Sequence, residues 1–363
     1  MKYVRVTALI CLWVCIQIQP VWACRYNVRE TGFADLGINP YRLYGYVRGT
    51  TPEDTVNVLK EKLSASLQDS NIMIDIINID QQKDHPALKY LDLWQIQSYP
   101  SAVLVSPDGQ SLAVSYEKSA VNDLVFSDAR GKILKQIIET YGVVLLIEGA
   151  DSGENRRTLE IAEKAIKKIK QQMRFMPKAI FQPPSLVVLD WESLSREKIL
   201  LWSLGLDVDK TEAPHVAVLY GRLRWIGPLF EGPEINEAAL TQVLYIIGED
   251  CECGLDWTVL QGTMLPSRWD EKTQALTTAA LGFDPENPMI KLEMSQILRK
   301  GTSSYPGIPV GSQRNRGQSQ RDAHLFGMGG SFLKKQLYFI GGLAVLIIIG
   351  GLFVAFRTAR KNP

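Results

Sequence analysis

The stretch Ser98-Tyr99-Pro100-Ser101-Ala102-Val103-Leu104-Val105-Ser106-Pro107-Asp108-Gly109-Gln110-Ser111-Leu112 narrows the choice of fold more than any other part of the chain. A proline opens a short apolar run, Pro107-Asp108-Gly109 reverses direction, and a second run follows. Pro100 suits the first position of a strand because proline gives the ladder no donor. Pro107 presets φ, and Gly109 allows the backbone conformation of a tight turn. Farther along, Ala213-Pro214-His215-Val216-Ala217-Val218-Leu219-Tyr220-Gly221-Arg222 repeats the arrangement. A duplicated α/β unit is the first expectation.

The elements around each hairpin repeat as well. Arg25 to Pro40 reads as a leader with an edge strand near Phe33 to Ile38, and Tyr41–Val47 as a strand of alternating large residues. Thr51-Pro52-Glu53-Asp54 predicts a helix start with Thr51 as its cap. Val56, Leu59, Leu63 and Leu67 follow on one face. Asn71 to Asp80 is a β-branched run, and His85 to Trp94 predicts a short helix before the hairpin. Ser127 caps a closing helix with Ile133, Leu134, Ile137, Ile138 and Tyr141 inward, ended by Gly142.

The second pass starts with a buried strand, Val143 to Ile147. Leu159, Ala162, Ile166, Ile169, Met173 and Met176 then step by three and four along a helix. Ser185 to Trp191 predicts a strand and Ser195 to Leu204 a helix. The pair Val216–Tyr220 and Leu223–Ile226 comes next, then a helix capped by Asn236 with Leu240, Val243, Leu244 and Ile247 inward and Gly248 at its end. The shared order marks a structural duplication despite little residue identity.

This β-α-β-α-β-β-α order resembles the thioredoxin-like superfamily over roughly residues 40 to 142 and 143 to 248. Tyr99-Pro100 and Ala213-Pro214 match the cis-proline ahead of the family's third core strand. The resemblance implies two tandem thioredoxin-like domains, 24–142 and 143–250, each with a peptide-binding groove beside its proline. Both Tyr99-Pro100 and Ala213-Pro214 are expected to be cis.

The family's dithiol sits at the start of its first helix, where the helix N-terminus depresses a thiol pKa. The matching positions here, Gly49-Thr50-Thr51-Pro52 and Ala150-Asp151-Ser152-Gly153, hold no cysteine. Thr51 and Ser152 read as helix caps rather than nucleophiles. Cys251-Glu252-Cys253 remains, with Cys24 as a third thiol. These are structural bonding partners or, alternatively, a redox centre, and one thiol of an odd set stays free, lipidated or bonded elsewhere. His85, His215 and His324 lie far apart, so no metal motif forms, and no cofactor is implied. No glycine-rich phosphate loop or serine nucleophile elbow occurs. His215, at a strand start, reads as structural. Lys164, Lys167, Lys168, Lys170 and Arg174 make one helix face basic, which reads as a solvated face.

The ends place the chain. Met1 to Arg5 is a basic start, Val6 to Ile18 is mostly apolar, and Val21-Trp22-Ala23 suits cleavage, so residues 1–23 read as a signal peptide. Residues 251–300 form a helical appendix in which Trp257, Trp269, Phe283 and Met289 are either partner anchors or parts of the neighbouring core. Residues 301–336 are rich in Gly, Ser, Gln, Pro and Arg, a flexible linker reaching on the order of 30 Å. Residues 337–356 (Leu337 to Phe356) are uncharged and long enough to span a bilayer. Arg357, Arg360 and Lys361 suit a short cytoplasmic tail, 357–363.

Forty Lys and Arg against 39 Asp and Glu in 363 residues leave no field that would favour nucleic acid. The mature part lacks Asn-x-Ser/Thr, which tilts the expected location to a bacterial cell envelope. The expectation is a single-pass, extracytoplasmic, non-catalytic scaffold for another envelope or membrane protein; the alternative is a thiol–disulfide redox protein using Cys251, Cys253 and Cys24.

Overall fold

The computed structural model describes residues 25–37, 40–176, 178, 180, 182–207, 211–250 and 262–300. The expected signal peptide, linker, membrane span and tail lie outside these residues, as do Cys24, Cys251, Cys253 and Trp257. Among the described residues no helix is long and apolar enough to cross a membrane.

Two sheets organise the chain. The first holds β1 (Tyr41–Val47), β2 (Ile72–Asn78), β3 (Ser101–Val105) and β4 (Ser111–Val114) in the order β2-β1-β3-β4. β1 runs parallel to β2, with Tyr41 opposite Ile72, and antiparallel to β3, with Leu43 opposite Leu104. β4 adds antiparallel at the edge. The second sheet holds β5 (Val143–Ile147), β6 (Ser185–Leu189), β7 (His215–Tyr220) and β8 (Arg224–Glu231) in the same order and sense, β6-β5-β7-β8. A short β9 (Thr263–Met264) extends it. β5 and β7 are buried along their whole length, which suits the apolar runs Val143–Ile147 and Val216–Tyr220.

Helices cover both faces of each sheet. On the first sheet, α2 (Glu53–Leu67) and α4 (Lys118–Val125) bury Leu59, Leu63, Val121 and Leu124 against Tyr41, Leu43 and Leu104. Here α1 denotes the leading helix Val28–Phe33 and α3 the short helix Lys89–Leu93. α3 sits on the opposite face, with Tyr90 among Tyr46, Ile77 and Val103. On the second sheet, α6 (Ser152–Gln172) and α8 (Glu237–Ile247) cover one face, and α5 (Asp128–Glu139) and α7 (Lys198–Ser203) the other.

The helix expected to close the first unit therefore belongs elsewhere. Ile133, Ile137 and Ile138 of α5 pack with Val143, Leu145 and Ile147 of the second sheet, and α4 closes the first. α5 ends at Glu139, before Gly142. Gly142 lies against the Leu219 carbonyl, where a β-carbon would sit 3.1 Å away. The leader is also a helix rather than an edge strand, because Asn27 and Glu30 form a reciprocal capping box. Pro52 precedes α2 without a side-chain cap, and the Thr51 hydroxyl instead accepts from the Arg48 N–H at 3.1 Å. Asp151, not Ser152, caps α6. Asp270 caps α9 (Glu271–Leu281), accepting from the Thr273 N–H. β6 ends at Leu189, and the expected helix from Ser195 is a 3-10 turn, Trp191–Arg196, followed by α7.

Both described ends of the chain wrap the second sheet. Tyr26 and Val28 join its core, and the Val28 N–H donates to the Glu249 carbonyl at 2.9 Å. From the other end, Ile290 and Met294 of α10 (Pro288–Lys300) join the same core, and Leu281 of α9 packs in the core on the sheet's other face. Arg25 and the Tyr26 hydroxyl meet the Glu293 carboxylate at 2.8 and 3.0 Å. The first sheet is thus inserted into a body whose other parts precede and follow it.

Buried arginines fasten these pieces. Arg130 donates to the carbonyls of Leu124 and Phe126 at 2.7 and 2.8 Å, of Pro266 at 2.9 Å, and of Asp123. Burial pushes its guanidinium down to about 10, still charged at neutral pH. Arg29 donates to Thr140, Ile137 and Ile138 carbonyls at the end of α5. Arg224 holds the carbonyls of Gly32, Ala34 and Gly262. Asn71 clasps Leu265 and Ser267 main-chain groups, both at 3.0 Å, and Trp202 of α7 meets Tyr41 at 6.0 Å. The two sheets are joined by hydrogen bonds and by apolar packing.

Arg130→Leu leaves several buried carbonyls without donors, each costing about 1–3 kcal/mol. The full chain should lose at least about 3 kcal/mol by denaturant unfolding. Lys132→Ala, exposed on the same helix, should change stability by no more than about 0.5 kcal/mol. An unaltered midpoint in the Arg130 variant would deny it this role.

Candidate functional site

The two positions that match the family's dithiol are built differently from each other. In the first unit, the loop after β1 is held by the Gly49 N–H, which donates to Asp80 at 2.8 Å. The Arg48 guanidinium lies 5.1 Å from the Tyr99 ring centre. The Tyr99–Pro100 bond is cis, and both residues are partly exposed. Thr51 is engaged with the Arg48 main chain, so its hydroxyl has a structural task.

In the second unit the Ala213–Pro214 bond is trans, contrary to expectation. Gly149 lies directly against it: a β-carbon there would meet the Glu212 oxygen at 2.3 Å and the Pro214 nitrogen at 2.6 Å. The Ala150 N–H donates to that Glu212 carbonyl at 2.8 Å. Asn155 clamps Gly149 from both sides, accepting from its N–H at 2.8 Å and donating to its carbonyl at 2.9 Å. The chain's own main chain thus takes hydrogen bonds beside this proline. Ala213 also lacks the ring with which Tyr99 can stack on its proline.

A hollow of about 470 Å³ lies beyond, lined by Glu148, Asp190, Glu192, Trp191 and Arg196 among others. The Glu148 carboxylate accepts from the Trp191 N–H at 3.2 Å. His215 is not part of it. That ring is buried, 3.7 Å from Glu231 through Nε2. His85 serves locally, its Nδ1 accepting from the Ala87 N–H. Among the described residues no group of three His, Cys, Asp or Glu side chains is placed to hold a metal ion.

The larger feature is a cleft of about 1240 Å³ between the sheets. One wall is β4 with Trp94 and Phe126; the other is β6 with Lys198, Ile199 and Trp202 of α7. Trp94 is 40% and Phe126 55% exposed, and both face the cleft. Phe126 rests on Gly131, where a β-carbon would be 3.2 Å from its ring. Glu197 is occupied, accepting from the Ser127 hydroxyl at 2.6 Å. Among the described residues the cleft is lined by apolar side chains together with hydroxyls, carboxylates and cations of Ser, Asp, Glu, Lys and Arg.

Sequence reading did not single out Trp94, Phe126 or Trp202 as a set, because only the packing of the two sheets brings them together. Of the expected anchors, Trp269 is buried beneath Arg222, whose guanidinium is 4.7 Å from its ring, and Phe283 packs on Tyr26 at 5.4 Å. Both complete the second core. Met289 is 71% exposed. On α6, Lys164, Lys167, Lys168 and Lys170 are exposed, and Lys168 pairs with Glu237 at 3.3 Å.

Burial lowers the His215 pKa below its ordinary 6.5, while Glu231 opposes the shift. A depressed histidine binds its proton more readily in the unfolded chain. Its contribution to stability is therefore complete above 6.5 and is lost as pH falls through the lowered value. His215→Gln should flatten this slope in unfolding measured across that range; an unchanged slope would assign it to other groups.

No family model and no curated protein matches the chain. Among solved structures it is similar to the first two thioredoxin domains of Saccharomyces cerevisiae Eps1p, at 12% identity, 58% of this chain, 92% of that one, and a TM-score of 0.21. It is similar to human ERp44 in a zinc-bound form at 9% identity, 61% and 60% coverage, and a TM-score of 0.21. For ERdj5 the values are 9%, 57%, 27% and 0.22, so the chain spans about a quarter of that protein. Such low scores leave the assignment to strand order and sense. Both sheets share one strand order and one pattern of parallel and antiparallel pairing, a mixed α/β architecture of the kind the thioredoxin-like resemblance implies.

Proposed function

We propose that this chain is a non-catalytic binding module that holds another protein in the cleft between its two sheets. The carrying observation is the cleft itself: about 1240 Å³, open, bounded by both units, and furnished with exposed Trp94 and Phe126. Exposed aromatic side chains in a concave site are apt anchors for a partner. The absence of cysteine at both dithiol positions agrees with binding rather than exchange. In this reading Leu337 to Phe356 tethers the module to a membrane, with the sheets on the extracytoplasmic side.

A photo-crosslinking amino acid at Phe126, in the full chain in its native membranes, should give an adduct with another protein. The same probe at Met73, exposed on β2 away from the cleft, should not. Adduct formation should survive Cys251→Ser/Cys253→Ser. A thiol–disulfide exchange activity that disappears in that double variant would replace the binding reading with the redox one. For the tether, protease added outside sealed cells or spheroplasts should digest residues 24–330, and their protection would reverse the orientation.

A further inference from the structure

β4 and β6 are terminal strands of their sheets, and both line the same cleft. A terminal strand presents main-chain donors and acceptors on one side. Natural proteins usually guard such edges with charge, proline or a bulge. β4 is Ser111-Leu112-Ala113-Val114, without charge or proline, and its register with β3 shows no shift. The Ser106 N–H donates to the Gln110 carbonyl at 2.8 Å, which sets the alternation of the antiparallel pair. Leu112 and Val114, opposite Leu104 and Ala102, bond inward; Ser111 and Ala113 direct their N–H and C=O groups outward. On the far wall, the Ser185 N–H and the Leu189 carbonyl bond to the β5 side. Val188 between them turns its main chain toward the cleft.

We propose that an extended, uncharged segment of a partner protein docks here as an added strand on β4, its alternate apolar side chains against Phe126 and Trp94. The proposal rests on the binding-module reading and names what is bound. Its chemistry follows from the walls. Ser111 and Ala113 offer the two donors and two acceptors that a strand can match. The charged side chains on the cleft are balanced, Arg130, Lys132, Arg196 and Lys198 against Asp123, Asp128, Glu197 and Asp207, which suits neither an acidic nor a basic tail. β4 also lies within a cleft between two bodies, a place for a single strand rather than for the sheet edge of a second copy.

Proline at position 113 removes an outward N–H that the sheet itself does not use, so β4 can still pair with β3. Ala113→Pro should lower the Phe126 adduct about tenfold, and Ala113→Thr, which keeps the N–H, should leave it unchanged. Both variants should unfold at the same denaturant midpoint as the parent. As a defined probe, a ten-residue peptide of alternating Val and Thr should bind the full chain, and N-methylation of alternate residues should weaken it about tenfold. If the adduct forms but Ala113→Pro does not reduce it, or if the peptide fails to bind or ignores N-methylation, the added strand is wrong while the binding module stands. An adduct consisting of a second copy of this chain would likewise overturn it. No adduct at Phe126 in any variant would remove the binding module itself.

Discussion

The structure depends on guanidinium groups kept away from water. Among the described residues four arginines are buried, Arg29, Arg130, Arg222 and Arg224. An unpaired ion in such a place is prohibitive, and even a paired one recovers its desolvation only with near-complete hydrogen bonding. Arg29, Arg130 and Arg224 meet that demand mainly with main-chain carbonyls. Arg222 uses the carboxylates of Glu286, at 2.8 Å, and Asp35, at 3.7 Å. The planar fork reaches several acceptors at once, which lysine could not do.

The acceptors come from segments distant in sequence. Arg130 draws together the end of α4, the start of α5 and Pro266; Arg224 draws together the leader after α1 and Gly262. Each carbonyl needs its donor, and each donor needs its carbonyl, so displacing one segment exposes an unpaired group in another. This reciprocity sets the relation of the sheets and with it the width of the cleft. Phe126 lies between α4 and α5, and Arg130, in the first turn of α5, donates to its carbonyl, so the anchor and the fastening are four residues apart on one piece of chain.

What could be read in the sequence was local. Pro100 and the Pro107-Asp108-Gly109 turn, the Asn236 cap and the stripe on α2 all follow from neighbours a few residues apart. Which sheet a helix covers is a different question. Ile133, Ile137 and Ile138 have the same spacing whichever core receives them, and chain order alone places α5 with the unit before it. Nothing in the residues next to Arg130 marks it as buried, because its acceptor on Pro266 is distant in sequence. The leader reads as an edge strand near Phe33 to Ile38, whereas the reciprocal capping box of Asn27 and Glu30 starts a helix there. Pro214 shared its setting with Pro100, and only the crowding by Gly149 and Ala150 shows why the two sites differ. The cleft could not be read at all, since it exists between two bodies and in neither sequence.

The contact of Arg25 and Tyr26 with Glu293 has a mechanical consequence. A pull applied to the end of α10 and to the leader enters the molecule at adjacent points. The tension then runs through α1, α10 and the second sheet, while the inserted first sheet lies off the load path. One half of the molecule can therefore bear force while the other keeps its shape, and the first wall of the cleft is on the half that stays slack.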